Sequence, residues 1–183
     1  LLCADTFVYH AGGVSFAATQ SEQQKSAMEA LTALYPQYEA VIQQFVGADL
    51  PAPYRFAADV ERACRAARRN GRPAVLMVNH ARGGGTERHL GELAAMAAGH
   101  ATVLFLRPHG AENQAALLSI HGSDNAVPFD PLADYGVLVD LLRVLGVSRV
   151  HFHHTIGVHT QFWRLPQDLG VPYDFTVHDY YLA

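Results

Sequence analysis

The sequence predicts an α/β fold, a mainly parallel sheet with helices on both faces, preceded by a helical N-terminal segment. Three observations predict it. Residues 73–78 and, after Thr102, residues 103–106 are unbroken apolar runs, as in strands buried on both faces of a parallel sheet. Segments with apolar residues at helical spacing lie between such runs, so strand and helix alternate after residue 71. Before residue 71 the helical patterns dominate.

Taken in order, residues 5–16 read as a short strand running into the Gly12-Gly13 turn. Ser21 and Gln24 form a capping box, and Ala27, Met28, Leu31, Leu34 and Tyr35 recur at helical spacing until Pro36 stops the helix. Residues 38–45 continue it in a new direction, and residues 47–53, with two prolines, are a linker. A helix over 56–69 closes at Asn70-Gly71. A strand over 73–80 leads through Gly83-Gly84-Gly85 into a helix over 87–98 with Leu90, Leu93, Ala94 and Ala97 as its buried stripe. Strands are expected at 102–106 and 115–121. Asp130 as N-cap and Pro131 at the first position open a helix ending near Gly146. A strand at 149–155, a short helix at 160–169 and a last strand at 174–178 complete the pattern.

Composition excludes several classes. The formal charge of −4 gives no footing for a nucleic-acid partner, which selects basic surfaces. Cys3 and Cys64 are too few for a disulfide framework or a zinc knuckle and fit a reducing cytosol. No apolar run reaches the roughly 18 residues that span a bilayer, and the N-terminus has no signal-peptide pattern. The chain opens on Leu1 without a methionine, as if cut from something longer.

Eleven histidines are the unusual feature, and several end apolar runs. Ligands of open parallel sheets bind beyond the carboxyl ends of the strands. Asn79-His80 with the glycines, His153-His154-Thr155 and His178-Asp179 all fall there. Glycines at a helix start let backbone N–H groups approach an anion, although the spacing is neither G-x-G-x-x-G nor a P-loop. His151 and His153 alternate along their strand and share a face, which suits either a metal pair or hydrogen-bonded imidazoles at a sheet rim. The absence of a carboxylate in that segment favours the second. Arg62, Arg65 and Arg69 read as a solvated helix face, the alternative being contact with an anionic partner or membrane surface.

Together these segments resemble the N-terminal domain of a group 1 (GT-B type) glycosyltransferase, a Rossmann-like fold. The matching pieces are Val78-Asn79-His80 with Gly83 to His89, Gly99-His100, Val150 to His154, and Thr176 to Tyr181, covering residues 72–183. Residues 5–50, through Val8 to Phe16 and Leu34 to Tyr38, are similar to the tail of a family 2 (GT-A type) glycosyltransferase. The resemblance implies a segment 1–70 belonging to a preceding module and a Rossmann-like domain at 71–183. It implies a bacterial enzyme, cytoplasmic or at the inner face of the membrane. Such an enzyme passes a sugar from a nucleotide-sugar donor to a polysaccharide or glycolipid acceptor, without metal or other cofactor. This part would be the acceptor-side half, inactive alone, with the C-terminal domain that holds most of the donor site lying beyond Ala183. His178 would be catalytic. Gly83, Gly84 and Gly85 would approach the donor diphosphate, and His80, His153 and His154 would lie along the cleft. The rivals are a metal-dependent hydrolase built on His151, His153 and His178, and a non-catalytic Rossmann-like binding domain.

Overall fold

A computed structural model of the chain describes residues 20–110, 113–124 and 126–178. The strand expected at 5–16, Cys3 and the Asp179–Tyr181 end of the last motif lie outside the described residues. The chain divides into two compact units, Leu1–Pro51 and Ala52–Ala183. In the first, helix α1 (Gln20–Leu34) and helix α2 (Tyr38–Ala48) are separated at Pro36, which cannot continue a helical hydrogen-bond ladder. Their larger apolar side chains, among them Met28, Leu34, Phe45 and Val46, are exposed.

The second unit opens with helix α3 (Ala52–Asn70), which absorbs part of the expected linker. Pro53 is tolerated because it sits in the first turn, where no backbone N–H is needed. Strand β1 (Ala74–Val78), helix α4 (Gly85–Ala97), strands β2 (Thr102–His109), β3 (Ala115–Ile120) and β4 (Ala126–Phe129), helix α5 (Tyr135–Val144) and strand β5 (Val147–Phe152) follow. A 3-10 turn (Thr160–Arg164), helix α6 (Leu165–Leu169) and strand β6 (Tyr173–Phe175) complete the order. Pro166 in the first turn of α6 breaks what the sequence suggested was one helix.

The six strands form one sheet in the order β4-β3-β2-β1-β5-β6. Strands β1, β2, β5 and β6 run parallel. Strand β3 runs opposite to them, pairing antiparallel with both β2 and β4. The expectation of a mainly parallel sheet is therefore corrected: the sheet is mixed. The reason is connection length. Residues 110–114 link β2 to β3 and residues 121–125 link β3 to β4. A parallel return needs about a dozen residues, so links this short allow only hairpins. Strand β4 was not foreseen from the sequence. As an edge strand it accommodates Pro128, and Val127 and Phe129 point into the core.

Helices cover both faces. On one, α4 packs Leu90 and Ala94 against Met77, Val103 and Phe105. On the other lies the larger core. Ala63 and Cys64 of α3, Leu138 and Leu142 of α5 and Leu165 of α6 meet Leu76, Val78, Leu104, Leu106, Leu118 and Phe152. Helix α3, assigned to the N-terminal segment on sequence, thus packs on the sheet, and its Phe56 meets Phe129 edge-to-face at 5.4 Å between ring centroids. Asp130 caps a turn and not the helix. Its Oδ1 accepts from the N–H groups of Leu132 and Ala133 at 2.8 and 2.7 Å, and α5 begins only after Asp134.

Phe129 is 1 % exposed, whereas Met28 in α1 is 51 % exposed. Phe129→Ala should cost about 3–5 kcal/mol in urea unfolding. Met28→Ala should stay within about 0.5 kcal/mol. Equal effects would contradict the core described above.

Candidate functional site at the carboxyl edge of the sheet

The strand order reverses beside β1. The chain leaves β1 through α4 to β2 on one side and returns through α5 to β5 on the other. In open α/β sheets such a reversal is where a ligand crevice forms, here at the carboxyl ends of β1 and β5. Asn79-His80 follow β1 and His153-His154-Thr155 follow β5, and all five are buried. The backbone holds these ends together: His153 N–H donates to the Val78 carbonyl at 2.9 Å, and Asn79 N–H to that of Leu106 at 3.1 Å.

The glycine turn enters the crevice from β1. Gly83 and Gly84 have φ of 72° and 83°, and Gly84 pairs this with ψ of −157°, a combination open essentially to glycine alone. Gly85 is ordinary helix. A Cβ at any of the three would meet nothing within 4 Å, so backbone conformation, and not crowding, calls for the first two. Gly84 brings no side chain to cap α4, and the first helical bond runs from Arg88 N–H to the Gly84 carbonyl at 3.2 Å. The N–H groups of residues 85–87 therefore have no partner within the helix. Glu87 in this turn opposes an incoming anion, but Arg107 offsets its charge across 2.6 Å.

The imidazoles divide into two groups. His80 and His154 pack at 4.7 Å between centroids. Each ring is fixed through Nδ1, which accepts from the backbone N–H of Arg82 and of Ile156, both at 3.1 Å. The second group gathers around His153. His151 stacks on it at 4.0 Å, while His89 of α4 and His178 each lie 5.8 Å away and 5.3 Å from one another. His151 Nε2 is 2.7 Å from Thr176 Oγ1. His178 is exposed and lies three residues beyond the end of β6, shorter than the strand expected at 174–178.

The sequence-predicted residues thus come to one edge of one sheet, but in two ring clusters. His80 joins His154, while His153 joins His178. His89 was missed as a site residue. The signal was present, since His89 extends the packing stripe of Leu93 and Ala97 by one helical turn toward the strand ends.

His153 is 1 % exposed, and neither ring nitrogen has a hydrogen-bond partner among the described residues. Burial, followed by the fields of His151, His178 and His89, lowers its pKa to about 3. Burial also lowers His80 and His151. Asn79 is fully buried, and neither its Oδ1 nor its Nδ2 has a partner among the described residues. Buried polar groups without partners cost about 1–3 kcal/mol each and concentrate at functional sites. Comparison with protein-family models, curated proteins and solved structures finds no match for this chain.

Two outcomes follow for stability. Gly84→Ala should cost about 1–3 kcal/mol, because alanine is strained at that φ and ψ. Gly85→Ala should be neutral or stabilising by up to about 1 kcal/mol, and urea unfolding of the two variants separates them. The second outcome concerns pH. His153, held neutral in the fold at a pKa of about 3, takes up a proton near 6.5 once unfolded. The unfolded state then binds more protons, so stability falls as pH drops through 6.5 toward 3 and is unaffected above that window. His80 and His151 act with the same sign. Melting temperature should decline progressively from pH 7 to 5, and less steeply in His153→Gln. Equal slopes in the two proteins would remove His153 from the account.

Proposed function

We propose that the crevice is one wall of a sugar-transferring site, taking a nucleotide-sugar donor on the glycine-turn side and a saccharide or glycolipid acceptor beside His178. The carrying observation is the placement of the Gly83–Gly84 turn, the start of α4 and the imidazoles at the reversal point of the sheet. In glycosyl transfer the bond from the anomeric carbon to the diphosphate breaks as an acceptor oxygen bonds to that carbon. The departing diphosphate needs preorganised donors, which backbone N–H groups at a helix start supply. The acceptor hydroxyl loses its proton, and exposed His178, at the mouth of the crevice, is the residue assigned to it. His80, His153 and His154 form the floor. The crevice is open, so a second wall is needed to exclude water and orient both substrates. Loss of even about 4 kcal/mol of transition-state stabilisation slows such a reaction roughly a thousandfold.

The test is NMR titration of the purified chain with inorganic diphosphate and with a panel of nucleotide sugars, alongside a transfer assay. Diphosphate should bind at about millimolar strength and shift the signals of residues 83–87. A matching nucleotide sugar should in addition shift His178, and turnover by this chain alone should be undetectable. Sites elsewhere on the surface, or no shift at residues 83–87 up to about 10 mM ligand, would end this reading.

A further inference from the structure

We infer that His89, His153 and His178 form a binding site for one divalent transition-metal ion of the zinc class. The three side chains each offer a ring nitrogen, and those nitrogens all lie within 4.8 Å of one another. They come from separate elements: α4, the end of β5 and the segment after β6. Local helix or strand periodicity therefore does not account for their convergence. The second observation is His153 itself, at 1 % exposure and with both ring nitrogens unpartnered among the described residues. An imidazole so placed gives up its water without a protein hydrogen bond in return, and a metal ion supplies the missing partner.

The donor set selects the ion. Three neutral imidazoles with no carboxylate among them suit zinc, copper, nickel or cobalt and do not suit magnesium or calcium, which take oxygen ligands. Zinc–nitrogen bonds of about 2.0–2.1 Å place tetrahedral ligand nitrogens about 3.4 Å apart. The rings must therefore close by no more than about 1.4 Å. His178 is exposed and His89 half-buried, so both have room to pivot toward the fixed His153. Stacking by His151, itself hydrogen-bonded to Thr176, backs His153 on one side. Three protein ligands leave a fourth position open, as in catalytic zinc sites. This triad differs from the His151, His153 and His178 set suggested by sequence: His89 takes the place of His151.

The inference stands on this geometry and not on the sugar-transfer reading. A ligated His178 cannot also take a proton from an acceptor, so metal loading and that proposed role exclude each other in one molecule. The experiment uses the tag-free full chain, stripped with chelator and titrated at neutral pH with Zn2+ by calorimetry. Co2+ titration is followed in parallel by its visible absorption. One equivalent of each metal should bind, with the strong bands of four-coordinate Co2+. His89→Ala and His178→Ala should each weaken binding at least tenfold, and the double variant should bind no measurable Co2+. His100→Ala, an exposed histidine past the end of α4, should bind as the parent does. Melting temperatures of the stripped variants, within a few degrees of the stripped parent, show that loss of metal is not loss of fold. No binding, six-coordinate Co2+ only, or binding undiminished in the double variant would overturn the site. Diphosphate binding at residues 83–87 is scored separately, so either reading can fail alone.

Discussion

The pairing of β1 with β5 determines where every polar group of the crevice ends up. The two strands run parallel, with Met77 opposite His151 and Val78 opposite Phe152. Parallel pairing brings both carboxyl ends to the same edge, and the intervening elements pass through α4 on one face and α5 on the other. The register slips once between Ala74 and Val75, where Ser148 is the additional residue on β5 and its hydroxyl donates to the Ala74 carbonyl at 3.2 Å. That bulge lets Val147 and Val150 both face the larger core despite their odd spacing. It also sends His151 and His153 toward the α4 face. Without it a one-residue slip would exchange the histidines with Val150 and Phe152.

The imidazoles divide just past the end of β5. His153 and His154, the two residues that follow β5, turn to different sides and so join different clusters. His154 meets His80 on one side, while His153 meets His151, His89 and His178 on the other. Burial then does to His153 what it does to any isolated base, holding the neutral form far below the usual pH of protonation. A neutral, dehydrated imidazole is a poor contributor to stability. It is a good ligand, and the crevice edge is where a ligand would be met.

Stability and site draw on different parts of the sheet. The hairpin strands β3 and β4 and the helices α3, α5 and α6 supply the larger core, capped by Phe129 and Phe162, both nearly fully buried. The crevice lies at the carboxyl ends of the parallel strands, where the core stops and Asn79, His80, His153, His154 and Thr155 take over. Helix α4 joins the two regions. Its Leu90 and Ala94 anchor it on the sheet, its first turn carries the glycine entry and Glu87, and His89 follows at the start of the second.

The sequence by itself determined most of the elements and the local faces. Apolar runs at 73–78 and 103–106 became buried parallel strands, and the H-x-H spacing placed His151 and His153 on one face, because strand alternation is a property of the backbone. It also located the glycine turn, since only glycine holds the backbone that Gly84 adopts. The tertiary structure alone decided the rest. Whether 115–120 ran parallel depended on a short link and on which strand it met, and β4 is stable only because β3 and α3 lie beside it. Helix α3 joined the sheet through Ala63 and Cys64, a contact its own periodicity does not name. His89, 64 residues before His153 in the sequence, meets it only because β5 returns beside β1. Such pairings are made by side chains distant in the chain, and no local pattern encodes which strand will close the crevice.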